Sequence, residues 1–443
     1  MTIFALSSGP GTSGIAVIRI SGPETSLVIE KMTGKKTPEP RVATLRKINY
    51  INTSELIDEG IVLWFPGPES YTGEDLAEIH VHGSKTVVEA IHLSISKIKN
   101  CRLAEPGEFT KLAFQNGKIN LLKAESIGDL IASETEIQRK QAVQIMNGKS
   151  SEKFNTLRKK LLKILSHIEA KIDFPDEDLP SNILKDIKKN SNQILKDVEK
   201  ILNDQKIGEK IRNGFKIAIV GPTNAGKSSL LNYLANRDAA IVSETAGTTR
   251  DVVEVHLNID GLPAIISDTA GIRDTKNEIE KKGIELSLMS AKEADLKLVV
   301  IDVKNVEFTD VLLDLLKKNS ILIVNKSDLI DVEDKIEFKK FNHILISIKN
   351  NTNLDNLILK IKDHLKNKFI SSEDILITRA RHRHHLQQCL ENLKSFNKKN
   401  EIEDFDKAAE DLRLATRNLG MIVGKVDVEE LLGSIFNDFC IGK

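Results

Sequence analysis

The sequence predicts a multidomain protein that joins an α+β region, a helical bundle divided between two stretches, and an α/β domain inserted between those stretches. Three observations support this prediction. Short β-like runs alternate with Gly and Pro turns at the start of the chain. Strand-like runs alternate with helical segments in the middle, and apolar residues recur at three- and four-residue spacings on both sides of it.

Length and composition agree with several ordinary domains. The chain has 443 residues, which at roughly 150 residues per domain indicates two to four domains. Its 64 Lys and Arg balance 64 Asp and Glu, which excludes a globally basic nucleic-acid coat and an acidic tail. Three cysteines cannot form a disulfide framework, and the start lacks the basic and apolar regions of a signal peptide. We therefore expect a cytoplasmic protein without a membrane span.

The first domain is predicted to cover residues 1–118. Its apolar runs Ile15–Ile20, Val62–Phe65 and Ile79–His82 are typical of strands, and Gly and Pro turns separate them. This pattern indicates a small α+β domain.

Helical patterns occupy residues 119–213 and 371–443. Ile187, Ile194 and Ile201 recur at seven-residue spacing, with Lys residues between them on the outer face. Each stretch has a stripe of apolar side chains that no neighbouring segment of the same stretch can bury. We therefore predict that the two stretches pack together as one discontinuous domain.

The intervening residues 214–370 contain a phosphate-binding pattern. The strand KIAIV leads into GPTNAGKS and then into a helical segment, which is the required context for a P-loop. Gly221 and Gly226 allow backbone N–H groups to turn toward phosphate oxygens. Lys227 would supply a point charge at the β- and γ-phosphates, and the Ser228 hydroxyl can ligate Mg²⁺.

Two later segments have the character of switch loops. The sequence GTTRD at Gly247–Asp251 is predicted to be the first, and DTAG at Asp268–Gly271 the second. Thr249 would add a second hydroxyl ligand to Mg²⁺, Asp268 would hold the water shell of the metal, and the Gly271 N–H would meet the γ-phosphate.

The segment NKSD at Asn325–Asp328 predicts which base is bound. The Asp328 carboxylate can accept from both N1–H and the 2-amino group of guanine, whereas adenine offers neither donor. The segment Ser347–Lys349 fits the remaining base-contacting loop. Together these motifs predict a GTP-binding domain. The predicted GTP-binding residues are Asn224, Ala225, Gly226, Lys227, Ser228, Ser229, Ser243, Thr245, Ala246, Gly247, Thr248, Thr249, Asp268, Thr269, Ala270, Gly271, Asn325, Lys326, Asp328, Ser347, Ile348 and Lys349.

The residues that would hydrolyse GTP are less evident. Ras-like enzymes orient the attacking water with a Gln, but Ile272 occupies the corresponding position and cannot form a hydrogen bond. Glu280 is a candidate that would act through water, and the alternative is an ordinary surface carboxylate on a helix. Arg250 and Arg273 are candidates for an arginine finger on charge alone.

A family resemblance accompanies these motifs. The set GPTNAGKSSL, AGTTRD, DTAGIR and NKSD occurs with WFPGPESYTGED, EPGEFTKLAFQNGKINL, IDFPDED and the terminal FCIGK. This combination closely resembles the tRNA modification GTPase MnmE (TrmE) family over nearly the whole chain. The implied fold is an N-terminal α+β folate-binding domain, a discontinuous helical bundle and an inserted Ras-like P-loop GTPase domain.

The resemblance also implies an activity and partners. A homodimeric, potassium-activated GTPase would work with the FAD-dependent protein MnmG in a heterotetramer. The complex would install carboxymethylaminomethyl or aminomethyl groups on C5 of the wobble uridine, position 34, of certain tRNAs. The one-carbon unit would come from a 5-formyl- or 5,10-methylene-tetrahydrofolate, and GTP hydrolysis would drive dimerisation of the GTPase domains.

The resemblance assigns residues to each site. Asn224, Ser243, Thr245 and Thr248 would bind potassium, Ser228 and Thr249 would bind Mg²⁺, and Glu280 would orient the water. Arg19, Glu78, Lys118 and Lys443 would form the folate site. Cys440 is a candidate reactive thiol, and the alternative is a small buried residue within IFNDFCIG.

Several other interpretations remain open at this point. The chain could instead be a ribosome-assembly or regulatory GTPase switch, or a folate-binding regulator. His80 and His82 are a possible metal pair but are better explained structurally. Residues 379–385 (RARHRHH) are interpreted as a basic face of the bundle, with tRNA phosphate contact as the lesser alternative. The acidic residues 173–178 are interpreted as a charged loop between helices.

Overall fold

The computed structural model describes most of the chain. The described residues are 1–173, 183–237, 254–267, 291–305, 308–329, 340–369, 375–399 and 405–426, together with residues 435, 439, 440 and 442. Contacts group the chain into two compact units. Unit 1 contains residues 1–128, 145–166 and 412–443, and unit 2 contains residues 129–144 and 167–411.

Unit 1 contains a six-stranded sheet of order β3-β4-β5-β2-β1-β6. Neighbouring strands are antiparallel except for β1 and β6, which run parallel. The three strands predicted from the sequence of this region are confirmed. The strands are β1 (Thr2–Leu6), β2 (Ser13–Ser21), β3 (Thr44–Asn49), β4 (Leu56–Phe65), β5 (Leu76–Gly83) and β6 (Cys101–Leu103).

The two faces of this sheet differ because side chains alternate along each strand. On one face Ile18, Ile79 and Val62 are fully buried, in a cluster with α1 (Thr25–Thr33) and α2 (Lys85–Ser96). The opposite face carries a mixed polar and apolar row in which Arg19 pairs with Glu78 and Leu45 pairs with Ile61. Candidate site residues therefore lie on the face that α1 and α2 leave open.

The remaining helices follow the predicted apolar stripes. Along α7, Ile187, Ile194 and Ile201 are buried, as predicted, and Ser191 donates to Asn397 of α12 at 2.9 Å. A helix before the α/β segment thus packs on one after it. None of the described helices is long and apolar enough to cross a bilayer. The helices are α3 (Glu108–Gln115), α4 (Leu121–Ile131), α5 (Glu136–Met146), α6 (Lys149–Asp173), α7 (Ile183–Leu202), α8 (Ile207–Asn213), α9 (Lys227–Arg237), α10 (Asp310–Leu315), α11 (Leu354–Phe369), α12 (Ala380–Lys398) and α13 (Phe405–Val423).

Unit 2 contains a second six-stranded sheet, of order β12-β11-β10-β7-β9-β8. All neighbours are parallel except β8 and β9. Alternate residues of β7 enter two hydrophobic clusters, Ile217 and Ile219 in one and Ala218 and Val220 in the other. The α/β fold predicted for this region is confirmed. The strands are β7 (Phe215–Val220), β8 (Glu254–Ile259), β9 (Leu262–Ser267), β10 (Leu296–Asp302), β11 (Ser320–Asn325) and β12 (His343–Leu345).

The strand order determines where a ligand can bind in unit 2. Strand β7 lies between β10 on one side and β9 on the other, so the order reverses at β7. In open parallel sheets, the crevice at the carboxyl ends of the strands next to such a reversal is the ligand site. The loop that follows Val220 begins at this crevice.

Two arginines of the predicted basic face at residues 379–385 are paired with carboxylates, so the prediction is wrong for these two residues. The Arg379 guanidinium donates to Asp129 at 2.7 Å, and the Arg383 guanidinium donates to Asp204 at 2.7 Å. Arg383 is 8% exposed. These arginines are neutralised by carboxylates distant in sequence, which a local pattern could not indicate.

Candidate functional site

The phosphate loop follows directly from the end of β7. Gly221 has a φ of +145°, and a Cβ atom there would lie 2.0 Å from the Val300 carbonyl oxygen. Gly226 has a φ of +102°, and a Cβ atom there would lie 2.2 Å from Asn325 Nδ2. Both positions therefore require glycine, and the loop leads into α9 at Lys227.

Lys227 is held at this loop. Its Nζ donates to the carbonyl oxygens of Gly221 at 2.9 Å and Pro222 at 2.7 Å. Ser228 and Ser229 follow in the first turn of α9 and are exposed. The start of a helix favours anions, so the ammonium and the hydroxyls lie where phosphate and its metal would bind.

Asn325 joins the phosphate loop to the base-binding loops. Its side chain is 3% exposed, and Nδ2 donates to the Ala225 carbonyl oxygen at 2.9 Å. Its Oδ1 accepts from the Ile348 N–H at 3.4 Å. The structure thus brings the phosphate loop together with two segments that lie 100 residues or more further along the chain.

Asp328 is prepared to accept hydrogen bonds. The Ser347 hydroxyl donates to Asp328 Oδ1 at 2.6 Å, and this bond lowers the pKa of Asp328 below its ordinary value. Ser347 is itself buried, and its Oγ accepts from the Asn350 N–H at 3.2 Å. The carboxylate is therefore ionised at neutral pH and fixed in position.

Asp302 is a site residue that the sequence interpretation missed. It is the last residue of β10 and lies opposite Asn325 in the register of β11. Its Oδ2 accepts from Lys326 Nζ at 2.7 Å, and its Oδ1 accepts from the Lys304 N–H at 3.0 Å. Burial alone raises the pKa of Asp302, but these hydrogen bonds outweigh burial and lower it. The acidic residue that ends LKLVVID was the available signal.

Other predicted residues of the GTP site lie outside the described part of the chain, so the structure does not place them. They are Ser243, Thr245, Ala246, Gly247, Thr248, Thr249, Arg250, Asp268, Thr269, Ala270, Gly271 and Glu280.

A second cluster lies on the open face of the unit 1 sheet. Arg19 donates to Glu78 Oε1 from Nη2 at 2.8 Å and from Nε at 3.1 Å. The Arg19 guanidinium lies 5.5 Å from the ring centroid of Tyr71 and 5.8 Å from that of Phe109. Burial alone raises the pKa of Glu78, but the hydrogen bonds from Arg19 and His80 outweigh burial and lower it. The cluster combines a cation, an anion and aromatic surface.

Lys118 and the chain terminus have other contacts. Lys118 Nζ lies 3.9 Å from Glu69, so its nearest carboxylate is not Glu78. Near the terminus, the Gly107 N–H donates to the Cys440 carbonyl oxygen at 3.3 Å, and Ser7 donates to the Gly442 carbonyl oxygen at 2.7 Å. Lys443 lies outside the described residues.

The Cys440 side chain is exposed, so the alternative of a buried structural cysteine is wrong. Hydrogen bonds from the Gly107 N–H and the Ser7 hydroxyl hold the backbone of this segment in place within unit 1, while the thiol stays accessible. Accessibility is one requirement for a reactive thiol.

The histidine pair has structural partners. His80 Nε2 lies 3.2 Å from Glu78 Oε2, and His82 Nδ1 lies 2.9 Å from Asp58 Oδ1. No group of three metal-ligating side chains occurs within the described ranges. The structural interpretation of the pair is therefore supported.

A P-loop between a parallel strand and a helix, tied by Asn325 to a fixed Asp328, defines a GTP-binding P-loop protein. Comparison with known families identifies which family of GTP-binding proteins the chain belongs to. Residues 2–118 match the family model of the GTP-binding protein TrmE N-terminus, and residues 121–440 match the model of the MnmE helical domain. The chain belongs to the MnmE family of tRNA modification GTPases, and it is a GTP hydrolase.

Individual relatives cover the whole chain. The chain is 73% identical over 443 residues to the tRNA modification GTPase MnmE of Pelagibacter ubique (strain HTCC1062), with all of both proteins covered. It is 45% identical over 446 residues to the protein of the same name from Rickettsia bellii (strain RML369-C), also with complete coverage of both.

Solved structures match parts of the chain. The G domain of the T. maritima FeoB iron transporter is 26% identical, covering 34% of this chain and 98% of that one, with a TM-score of 0.27. Aquifex aeolicus Era bound to GDP·AlF4⁻ is 24% identical, covering 42% of this chain and 68% of that one, with a TM-score of 0.27.

Proposed function

We propose that this GTPase acts in the modification of C5 of the wobble uridine of certain tRNAs. The observation that carries the proposal is the full-length match, at 73% identity, to a protein named as a tRNA modification GTPase. The proposed products are carboxymethylaminomethyl- and aminomethyluridine, the proposed partner is the FAD protein MnmG, and the proposed carbon donor is a tetrahydrofolate. Mass spectrometry of tRNA nucleosides from a strain lacking the gene tests the proposal, and normal amounts of both nucleosides would contradict it.

The side chains of the phosphate loop are suitable ligands for potassium and Mg²⁺. Asn224 is exposed and has a φ of +61°, so its amide oxygen is available at the surface of the loop. Amide and carbonyl oxygens are ligands that suit potassium. We propose that Asn224 binds potassium with Ser243, Thr245 and Thr248, and that Ser228 and Thr249 bind Mg²⁺. Bound potassium would supply positive charge that offsets charge developing on the phosphates.

Hydrolysis is expected to depend on the monovalent cation. Replacing KCl with NaCl at equal ionic strength should lower the rate of GTP hydrolysis roughly tenfold to a hundredfold, because sodium is too small for an oxygen cage built for potassium. An Asn224→Ala variant should have a low rate in both salts. The measurement is phosphate release at saturating GTP, and equal rates of the unaltered protein in the two salts would refute the potassium site.

We propose that the cluster around Arg19 and Glu78 binds the folate. Glu78 Oε1 already accepts two hydrogen bonds from Arg19, whereas Oε2 is bonded to His80 alone among the described residues. Oε2 therefore has a lone pair that can accept from the 2-amino group of a pterin. The Arg19 side chain can meet the anionic tail, and Lys118 and Lys443 are proposed to assist.

Removing Arg19 should weaken folate binding. Arg19→Ala is expected to raise the Kd for 5-formyltetrahydrofolate about tenfold or more, because it removes a charge-assisted contact and frees Glu78. Equilibrium dialysis measures the Kd. Arg102→Ala is the matched control, because Arg102 forms a similar ion pair with Glu108 in the same unit. An equal effect of the two substitutions would argue against a folate site at Arg19.

The open sheet face supports the proposed homodimer. Leu45 and Ile61 are paired across β3 and β4, and they are 65% and 38% exposed. A neighbouring pair of exposed apolar side chains on a sheet face can contribute to a surface that a partner covers. Ile61→Glu is expected to shift the mass measured by light scattering from dimer to monomer, and an unchanged dimer would exclude this face.

A further inference from the structure

Three of the helical stretches that are rich in Lys and Arg differ in their carboxylate neighbours. In the first, residues 379–385, Arg379 and Arg383 form ion pairs with carboxylates. The second is α7, whose exposed lysines Lys189, Lys196 and Lys200 are interleaved with Asp186, Asp197 and Glu199. Neither stretch presents a surface of one sign.

The third stretch, α6, differs from both. Lys153, Lys159, Lys160 and Lys163 are exposed, and within the described chain none of their side-chain ammonium groups has an ion-pair or hydrogen-bond partner. From residue 152 to residue 166 the only acidic side chain is Glu152. We call these four residues the lysine stripe.

The buried side of α6 determines that the lysine stripe faces solvent. Phe154, Leu157 and Leu161 on the other side of α6 are buried, at 0%, 1% and 0% exposure. Lys153 and Lys160 are seven residues apart and Lys163 is three further, so they project from the same side of the helix over about 15 Å. The positive charges therefore form a row on a rigid support.

We propose that the lysine stripe binds the phosphodiester backbone of tRNA. This rests on the proposed tRNA function. Lysine contacts phosphates as a point charge, and such contacts position an RNA without reading its bases. The complementary partner is a chain with regularly repeated negative charge, which RNA provides.

The other exposed residues of the same surface favour RNA backbone over other partners. They are Glu152 at the start of the range, Thr156, Leu162 and Ser166, with Leu162 only 39% exposed. No aromatic side chain is exposed between residues 152 and 166 for stacking on unpaired bases, and the face lacks the apolar residues of a membrane-surface helix.

The salt dependence of tRNA affinity tests the proposal. In the triple variant K153A/K160A/K163A, the plot of log association constant against log[KCl] should be less steep, with a slope less negative by about two to three units. The reason is that each lost phosphate contact removes about one released counterion. At physiological ionic strength its affinity for unfractionated tRNA should fall about tenfold or more. Filter binding with the full-length protein, from about 50 to about 200 mM KCl, measures both quantities.

Two variants serve as controls. K189A/K196A/K200A removes the same charge from α7 and should leave the slope unchanged. K153R/K160R/K163R retains the positive charge and should bind as the unaltered protein does. An unchanged unfolding temperature for each variant shows that α6 and α7 remain folded.

The outcomes separate this proposal from the proposed function. An unchanged slope in the α6 triple variant, equal losses in the α6 and α7 variants, or no salt-dependent affinity of the unaltered protein would each overturn the lysine stripe. None of these results affects the nucleoside analysis of a strain lacking the gene, which tests the modification function separately.

Discussion

An Asp328→Asn variant is expected to lose its preference for GTP and to gain affinity for xanthosine triphosphate. The carboxylate accepts from two guanine donors, N1–H and the 2-amino group, and Ser347 holds it in place at 2.6 Å. An asparagine keeps one acceptor but turns an N–H donor toward the 2-amino group, which is also a donor. Xanthine has an oxygen at that position and restores the match.

The expected size of this change is large. Mismatched hydrogen-bonding groups in a binding site typically cost several orders of magnitude in discrimination, so GTP affinity should fall by roughly two to four orders. Competition binding with GTP and xanthosine triphosphate measures it. Asp314→Asn is a suitable control, because Asp314 is an exposed carboxylate paired only with a lysine one helical turn away. A variant at Asp328 that still prefers GTP would disprove the base assignment.

A Glu280→Ala variant is expected to bind GTP almost normally while its hydrolysis collapses. The reason lies in the sequence of the predicted second switch, where the Ile272 side chain cannot orient a water molecule and Glu280 is proposed for that role by resemblance to the MnmE family. A positioned acid or base typically contributes about 10²–10⁴-fold to a rate, so single-turnover hydrolysis should fall by roughly that factor.

Glu278 provides a matched control for this experiment. It is a carboxylate two residues away in the same segment, and Glu278→Ala should hydrolyse GTP at the normal rate. Rapid-quench measurement of GTP cleavage gives the rate, and binding of a fluorescent GTP analogue gives the affinity. Near-normal turnover in Glu280→Ala, or an equal loss in both variants, would remove Glu280 from the mechanism.

Local spacing was sufficient to predict the phosphate loop and the base-reading segment. Gly221, Gly226 and Lys227 lie within seven residues, and their roles follow from backbone geometry at a strand end. Asp328 is likewise defined by its immediate neighbours. These elements were predictable because the chemistry and the sequence signal occupy the same short segment.

Contacts between distant segments were not predictable in this way. The pairing of Asp302 with Lys326 depends on the register of two strands, which the sequence does not encode locally. The arginines at residues 379–385 have the pattern of a basic face, but carboxylates such as Asp129, far away in sequence, neutralise them. In both cases the tertiary fold supplies the partner.

The same distinction applies to the cysteine near the chain end. The sequence IFNDFCIG is compatible with a buried or an exposed Cys440, since the apolar neighbours do not reveal which side chain turns inward. In the structure Phe439 is buried beside Gly128, while Cys440 is exposed. In the same way, the equal numbers of 64 positive and 64 negative residues gave no indication that exposed lysines of α6 lack carboxylate partners among the described residues.

We propose that GTP hydrolysis by this chain is required for the modification of the tRNA wobble uridine. The most direct test is quantitative mass spectrometry of tRNA nucleosides from a strain lacking the gene and carrying either the unaltered gene or the Glu280→Ala variant. We predict that carboxymethylaminomethyl- and aminomethyluridine are restored by the unaltered gene and absent with the variant. Normal amounts of these nucleosides in the strain without any copy of the gene would contradict the account.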